Sequence, residues 1–294
     1  MISGPSNVTS GLPGLGRPIS RCGIGLREPH LRHILDVLPD VPWFELLTDN
    51  YLQTNGPLLR QIDNVRRNYP LTFHGVGMSL GSADPLDEYY LTAVKHLIQR
   101  YEPAWVSDHL AFTHIGDKHF HDLLPIPYTD EALQHVSQRI EQVQDFLGQE
   151  LVVENVSSYL QYKDSTYAEA EFITELVQRT GCKLLLDINN VYVNAFNHGF
   201  DAYSYLEKIP FDEVNEIHLG GHEDRGDYLL DAHNNEVTQA VWALYESVMK
   251  FHPDIPTLIE WDNALPEFDV LLRQADIAND IVIKEHNVKA DNVL

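Results

Sequence analysis

Cysteine is almost absent from this chain. Two cysteines, Cys22 and Cys182, occur in 294 residues. Cys22 opens the first predicted strand and Cys182 directly precedes the sixth, so we expect both at the bottom of the fold but far apart in strand order. The sequence therefore predicts no disulfide, and this sparing use of cysteine is typical of a reducing compartment, here the cytoplasm.

Basic residues are also scarce. The chain has 20 Lys and Arg against 44 Asp and Glu, which gives a formal net charge of −24. A protein that binds a phosphate backbone needs a basic face. The longest basic cluster, Arg60 to Arg67, has the spacing of a solvated helix face. The charge thus argues against nucleic acid as a partner, whereas it favours solubility and suits a basic peptide or protein.

Long apolar runs are missing as well. No stretch approaches the ~18 apolar residues that span a bilayer, so we expect no membrane association. Residues 1–20 are rich in Gly, Pro and Ser and lack the apolar segment of a signal peptide. We predict a flexible lead at residues 1–20, one domain at residues 21–280 and a tail at residues 281–294.

Short apolar runs alternate with segments of helical periodicity throughout the predicted domain. Such alternation indicates a parallel sheet with crossover helices. Eight such units in a chain of this length predict an α/β fold, a closed (β/α)8 TIM barrel. The longest connections follow strands rather than precede them: residues 112–128, which could form a small hairpin, 189–199 and 220–234.

Most of the predicted strands end in a side chain that can bind a metal. In a TIM barrel these ends, and the loops after them, form the active-site face. A lone His or Asp at a strand end is more often a structural residue or a helix cap. The repetition around the barrel favours a metal site, and the strand-end residues are His74, His109, Glu154, Asp187, His218 and Glu260.

The chemistry of this set points to a cluster of two or three divalent metals. Four carboxylates at one barrel mouth would repel one another unless cations neutralised them. Imidazoles among them favour transition metals over Mg²⁺ or Ca²⁺. Glu154 and Asp187 could each bridge two ions. The full candidate set is His74, His109, Glu154, Asp187, Asn190, His218, Asp231, His233 and Glu260.

Two further polar residues stand beside the candidate ligands. His222 follows the seventh strand in the segment HLGGH and is a candidate catalytic or ligand-orienting residue. Asp108 precedes His109, so it should point to the opposite side of its strand or orient a ligand by a hydrogen bond. We take both as candidate catalytic residues.

Nine segments of this sequence resemble the DUF692 (UPF0276) family, described as multinuclear non-haem iron-dependent oxidative enzymes and including the methanobactin biosynthesis oxidase. The resemblance covers about residues 20–280. The wider fold resembles the xylose-isomerase-like TIM barrel. The segments are FELLTDNY, FHGVGMSLGS, VSDHLAF, HDLLPIPYT, VVENVSSY, LLLDINNVYVN, EIHLGGH, DAH and IEWD.

The resemblance implies that the nine candidate ligands bind two or three iron ions, in a mixed Fe(II)/Fe(III) active form, with O2 as co-substrate. It also implies a ribosomally made precursor peptide as substrate and a partner protein that presents it. The hypothesis that follows has a substrate cysteine thiolate beside one iron, and hydrogen is removed from its β-carbon. A variant lacking Glu154 or Asp187 should lose metal and activity together.

The ligand order also resembles the trinuclear zinc site of endonuclease IV, with one difference. Where that pattern has a His three residues after its strand-6 Asp, this chain has Asn190. The difference favours the iron family and leaves room for an open coordination position.

Two other readings stay open. One is a zinc or manganese phosphodiesterase or sugar isomerase on the same fold, although Lys183 begins a strand rather than ending one and no basic groove suits DNA. The other is a non-catalytic metal-binding or scaffolding protein, which predicts a coordinatively saturated site and no O2 uptake.

Overall fold

The computed structural model describes residues 19–53 and 56–291. The lead predicted at residues 1–20 therefore lies almost wholly outside the described residues. Within them, the strands are β1 (Cys22–Leu26), β2 (Phe44–Leu47), β3 (Leu71–His74), β4 (Val106–His109), β5 (Phe112–Ile115), β6 (Lys118–Leu124), β7 (Leu151–Glu154), β8 (Lys183–Asp187), β9 (Val214–Leu219), β10 (His222–Asp224), β11 (Leu229–Asp231) and β12 (Thr257–Ile259).

Helices separate the barrel strands. They are α1 (Leu31–Val37), α2 (Pro57–Asn68), α3 (Glu88–Tyr101), α4 (Asp130–Leu147), α5 (Glu169–Thr180), α6 (Ile188–His198), α7 (Ala202–Leu206), α8 (Gln239–Met249) and α9 (Phe268–Asp291). None of the helices in the described part of the chain has the length and apolar character needed to cross a membrane.

Eight parallel strands close into a barrel in the order β1-β12-β9-β8-β7-β4-β3-β2. The predicted (β/α)8 fold is confirmed. The strands are short apolar runs buried on both faces, as β8 shows with its sequence KLLLD. Burial on both faces is expected of a parallel sheet covered by helices. The two cysteines are free and buried, in agreement with the prediction of no disulfide.

Two antiparallel hairpins lie at the carboxyl ends of the strands. The hairpin β5–β6 follows β4, as predicted, with His114 opposite His119. A second hairpin, β10–β11, pairs His222 with Asp231. It forms within residues 220–234, a segment predicted only as a loop. Residues of both hairpins line the pocket at this rim.

The prediction of a rim loop at residues 189–199 is wrong, because nearly all of this segment lies in helix α6. Its sequence, INNVYVNAFNH, is rich in Asn and β-branched residues, which have modest helix propensity. Capping at both ends stabilises the helix despite this modest propensity. Asp187 caps the first turn by accepting a hydrogen bond from the backbone N–H of Asn190 at 2.7 Å, and Gly199, at φ 73°, ends the helix.

The last helix runs past the predicted end of the domain. The domain is predicted to end at residue 280, but α9 continues to Asp291. Much of the predicted tail at residues 281–294 is therefore helical. Past residue 280, Ile281 and Val282 pack partly buried against the core and Glu285 is 8% exposed, so packing contributes to this extension of the helix.

Candidate metal centre

The carboxyl ends of the barrel strands bring the nine predicted ligands to one place. His74, His109, Glu154 and Asp187 are the last residues of β3, β4, β7 and β8. His218 lies within β9, and Glu260 directly follows β12. Neighbouring strands of a parallel barrel end on the same face, so these side chains converge. Asn190 comes from the first turn of α6, and Asp231 and His233 come from the end of the second hairpin.

The first cluster consists of His74, His109 and Glu154. Both imidazole Nε2 atoms face one carboxylate oxygen, Glu154 Oε2, at 3.2 Å from His74 and 3.0 Å from His109. All three side chains are buried. Three ligand atoms so close together, two nitrogen and one oxygen, could hold one divalent transition metal.

The second cluster surrounds the other oxygen of Glu154. His218 Nδ1 lies 4.0 Å from Glu154 Oε1 and 3.0 Å from Glu260 Oε2. Asp187 completes this group, all four members of which are buried. Glu154 thus faces both clusters, as expected of a bridging carboxylate.

The third cluster is built around His233. Its Nε2 atom lies 3.0 Å from Asp231 Oδ1 and 3.6 Å from Asp187 Oδ2. Its Nδ1 atom lies 3.4 Å from Glu260 Oε2. His233 adopts a left-handed backbone conformation at φ 42°, which is strained for a residue other than glycine. The strain turns the imidazole between Asp187 and Glu260.

Several buried atoms of the candidate ligands make no hydrogen bond of good geometry, although Glu154 Oε2 and His233 Nε2 have polar neighbours at 3.0 Å. Buried polar atoms that are poorly satisfied are costly, so they rarely collect in one place without a reason. The atoms that face the clusters are Glu154 Oε2, Asp187 Oδ2, Asn190 Oδ1 and His233 Nε2, and their nature fits transition-metal binding. His218 Nε2 is similarly unsatisfied but faces Glu45 and Glu216.

Asn155 fixes the position of Asp187 and Asn190. Its side-chain oxygen accepts from the backbone N–H of Asp187 at 2.9 Å, and its Nδ2 donates to the Asp187 carbonyl at 3.0 Å. Asn190 Nδ2 in turn donates to the Asn155 carbonyl at 3.1 Å. The amide of Asn190 is therefore oriented with its oxygen toward the pocket.

Protonation shows how much negative charge the site concentrates. Burial disfavours the charged form of His109, but Glu154 outweighs burial and raises the pKa of His109 to about 9. Burial raises the pKa of Asp231 to about 7. Burial also raises the pKa of Glu216 to about 8, and the charge of Glu45 adds to this effect. In the absence of metal, bound protons therefore reduce the negative charge of these groups, a charge that divalent cations could neutralise instead.

Three carboxylates near the candidate ligands were not predicted from the sequence. Glu45 Oε1 and Glu216 Oε1 lie 3.1 Å and 3.5 Å from His218 Nε2, beneath the second cluster. Asp262 Oδ2 lies 3.5 Å from His233 Nδ1. The signal was an interval of two residues: Glu216 and Asp262 stand two positions from His218 and Glu260, and such residues in an extended chain face the same side.

Asp108 does not face the clusters. Its Oδ2 atom accepts from the backbone N–H of Met78 at 3.0 Å, and its Oδ1 atom accepts from the backbone N–H of His109 at 2.7 Å. Burial raises the pKa of Asp108 to about 7. The geometry places this residue behind His109, where it holds the loop after β3.

His222 also stands outside the clusters. Its Nδ1 atom lies 2.8 Å from Asn189 Oδ1, and Asn189 Nδ2 donates to Asp231 Oδ1 at 2.9 Å. The ring packs against Tyr192, with ring centroids 5.2 Å apart. The His222 side chain thus reaches Asp231 through Asn189, while its backbone pairs with Asp231 in the hairpin β10–β11.

An open pocket of about 530 Å³ leads from the clusters to solvent. The hairpin β5–β6 forms one wall with His119, Phe120 and His121, and Tyr159 forms part of another. The volume lies in the range of small-molecule and side-chain pockets. A segment of a peptide could therefore reach the metal ligands from this side.

Solved structures share the fold at low sequence identity. Endonuclease IV from Thermus thermophilus aligns with a TM-score of 0.60 and 14% identity, over 88% of this chain and 99% of that one. A Rhodospirillum rubrum protein assigned to the xylose isomerases aligns with a TM-score of 0.58 and 13% identity, over 89% and 98%. At this identity the likeness shows the xylose-isomerase-like TIM barrel alone.

Protein sequences give a closer relationship. A UPF0276 protein of Acaryochloris marina is 48% identical over 261 residues, which cover 89% of this chain and 94% of the relative. A UPF0276 protein of Anaeromyxobacter is 46% identical over 259 residues, which cover 88% and 92%. A family profile, described as RiPP precursor modification enzyme MbnB/TglH/ChrH, matches residues 21–283. This chain belongs to that family of enzymes that modify ribosomally made precursor peptides.

Proposed function

We propose that this protein is a multinuclear iron enzyme that uses O2 to oxidise a residue, cysteine in the first instance, of a precursor peptide. The supporting observation is the set of three adjoining clusters of imidazoles and carboxylates at the end of an open pocket. Iron bound there would supply the one-electron chemistry with O2 that amino-acid side chains lack. A partner protein that presents the peptide, and a cytoplasmic location, belong to the same proposal.

The three clusters suggest how the chain would divide its ligands. His74, His109 and Glu154 would hold one ion. Glu154, Asp187, His218 and Glu260 would hold a second, and Asp187, Asn190, Asp231 and His233 a third. Glu154 and Asp187 are shared, so they would keep the ions close and balance their charge.

Hydrogen bonds to Nδ1 determine that His74 and His109 both turn their Nε2 atoms toward Glu154. Ser107 Oγ donates to the Phe73 carbonyl at 3.1 Å, so it accepts from His74 Nδ1 at 2.8 Å. His109 Nδ1 donates to the Gly75 carbonyl at 3.0 Å. Both Nε2 atoms therefore point to Glu154 with their lone pairs free for a metal, as outer hydrogen bonds commonly arrange.

Asn190 offers a weaker ligand than a histidine at the same position. A neutral amide oxygen adds no charge and is displaced more easily than an imidazole. We propose that a substrate group or O2 approaches the third ion beside Asn190, because this residue lines the open pocket. Asp108 and His222 then serve as positioning residues, since Asp108 acts through the backbone of Met78 and His109 and His222 acts through the Asn189 side chain.

The test begins with protein purified without O2, followed by metal quantitation and Mössbauer spectroscopy. We expect two or three iron ions per chain and a mixed-valent cluster. The peptide would be a short cysteine-containing product encoded beside this gene. When this peptide is incubated with O2 and metal-loaded enzyme, O2 should be consumed and the mass of the peptide should change.

Glu154→Gln provides the decisive variant. It keeps the side-chain volume but removes the shared charge, so it should lose at least one metal equivalent and the oxidation of the peptide together. Glu131→Gln, at an exposed position in the first turn of α4, is the matched control and should keep both. A full metal load in Glu154→Gln, or a protein that holds only zinc and consumes no O2, would overturn the proposal.

A further inference from the structure

A second cavity lies beside the metal pocket. It has a volume of about 420 Å³ and is separate from the pocket that leads to the clusters. Tyr128, Tyr167, Phe200 and Tyr205 contribute aromatic walls, and the carboxylate of Glu169 is part of its lining. The cavity has no role in the metal centre described above.

Glu169 is an acidic group in an aromatic setting. Tyr128 donates its hydroxyl to Glu169 Oε1 at 2.9 Å, and burial raises the pKa of Glu169 to about 7. No ion pair among the described residues includes Glu169. Lys208 also lines the cavity, but its ammonium pairs with Glu171 Oε1 at 3.5 Å. The cavity therefore carries a carboxyl group that forms no ion pair with a cation in the described part of the chain.

The aromatic walls strengthen the preference for a cation. Phe200 and Tyr205 stack with centroids 5.8 Å apart, and Tyr128 packs on Phe172 at 5.0 Å. Aromatic faces attract ammonium and guanidinium groups, more so when water is partly excluded. A carboxylate among such rings recognises a positively charged side chain with an apolar stem.

The cavity is connected to the metal pocket by two elements. Along the segment after β7, Ser157 and Tyr159 line the metal pocket, while Ser158 and Leu160 line the cavity.

Helix α6 makes the second connection. Asn190 faces the metal pocket, whereas Asn194 and His198, one and two turns later, line the cavity. Eight helical residues advance about 12 Å, a distance that three to four residues of an extended peptide span.

We propose that this cavity is a specificity subsite for the lysine or arginine side chain of a peptide, held three to four residues from the residue that is modified. The inference rests on the proposed peptide substrate. The net charge of −24 would draw such a basic segment to the surface, and Glu169 would select its position.

Binding of small probes tests this subsite without metal or O2. The probes are N-acetyl-lysine methylamide and N-acetyl-arginine methylamide, with N-acetyl-norleucine methylamide as the neutral counterpart. Saturation-transfer NMR with the full chain at pH 8 should show at least tenfold tighter binding of a basic probe than of norleucine. Glu169→Gln should remove this preference, whereas Glu175→Gln, on the same helix but outside the cavity lining and paired with Arg179, should leave it unchanged.

A second variant separates binding from folding. Phe200→Ala removes one aromatic wall at a position that is 37% exposed, and it should weaken the basic probe severalfold while the protein stays folded. Equal binding of lysine and norleucine probes, or an unchanged preference in Glu169→Gln, would overturn the subsite. Since these measurements need neither iron nor oxidation, a failed subsite leaves the proposed chemistry intact, and failed chemistry leaves the binding result intact.

Discussion

At the residue scale, Asn190 is the candidate ligand that most affects the proposed reaction. Its Oδ1 atom is buried without a hydrogen-bond partner, and its Nδ2 atom is held by the Asn155 carbonyl. An imidazole at this position would bind a metal more strongly and occupy the space through which a substrate group approaches.

We expect Asn190→His to keep or raise the metal content while slowing peptide oxidation at least tenfold. Asn190→Ala, which removes the oxygen ligand, should instead lose metal from the third cluster. Metal quantitation and O2 consumption distinguish the two variants. An Asn190→His enzyme with full activity would show that the position is not used by the substrate.

Gly220 makes room for the strained His233. A Cβ atom added at Gly220 would lie 2.3 Å from His233 Cδ2, much closer than van der Waals contact allows. Gly220→Ala should therefore displace the imidazole, lower the metal content and cost about 1–3 kcal/mol in the free energy of unfolding, as overpacking does.

Thermal unfolding and metal quantitation measure these effects of Gly220→Ala. The double variant with His233→Ala is the control. If the clash with the His233 imidazole causes the loss of stability, Gly220→Ala should cost little stability in a protein that already carries His233→Ala.

The sequence predicted the strand ends well at the scale of elements. Strands β3, β4, β7 and β8 end in a polar side chain at the carboxyl face of the barrel, and the polar residues His218 and Glu260 lie at or directly after the ends of β9 and β12, so local pattern and tertiary position agree. Helix α6 was missed because its stability depends on the Asp187 cap and on packing, not on propensity. Glu45 was missed because its interaction with His218 joins strands far apart in sequence.

The hairpin β5–β6 pairs with none of the eight barrel strands. The side chains of Lys118 to Asp122 are exposed, yet His119, Phe120 and His121 line the metal pocket. Replacing residues 114–121 with Asn-Gly, which favours a tight hairpin turn, should change the free energy of unfolding by no more than about 1 kcal/mol.

The truncated hairpin should still impair substrate binding. We expect full metal content and a KM for the peptide raised at least tenfold, because one wall of the pocket is lost. Steady-state kinetics and metal quantitation check this expectation. An unchanged KM would mean that the peptide enters without contacting the hairpin.

At the scale of the whole molecule, the buried carboxylates oppose folding unless they are neutralised. The fold gathers Glu45, Glu154, Asp187, Glu216 and Glu260 around a few imidazoles. Without metal, protons neutralise part of this charge. Bound metals should therefore stabilise the entire barrel, by about 4 kcal/mol at a free metal concentration 1,000 times the Kd.

The pH dependence of this stabilisation follows from the raised pKa values. His109 has a pKa of about 9 in the fold against 6.5 ordinarily, and Asp231 about 7 against 3.8. A raised pKa contributes stability that is present below the ordinary pKa and is lost as pH rises through the folded value. The metal-free protein should therefore lose stability from pH 6 to pH 9, while metal binding, which must displace these protons, becomes stronger.

The difference in Tm between metal-loaded and chelator-treated protein should accordingly widen as pH rises from 6 to 9. Scanning calorimetry at several pH values measures it, and Glu154→Gln, with fewer charges to neutralise, should show a smaller difference. A difference in Tm that stays constant from pH 6 to pH 9 would contradict this prediction. It would mean that metal binding does not release protons from these atoms. A widening difference would show that the carboxylates at the barrel mouth, which destabilise the metal-free protein, stabilise it once metal is bound.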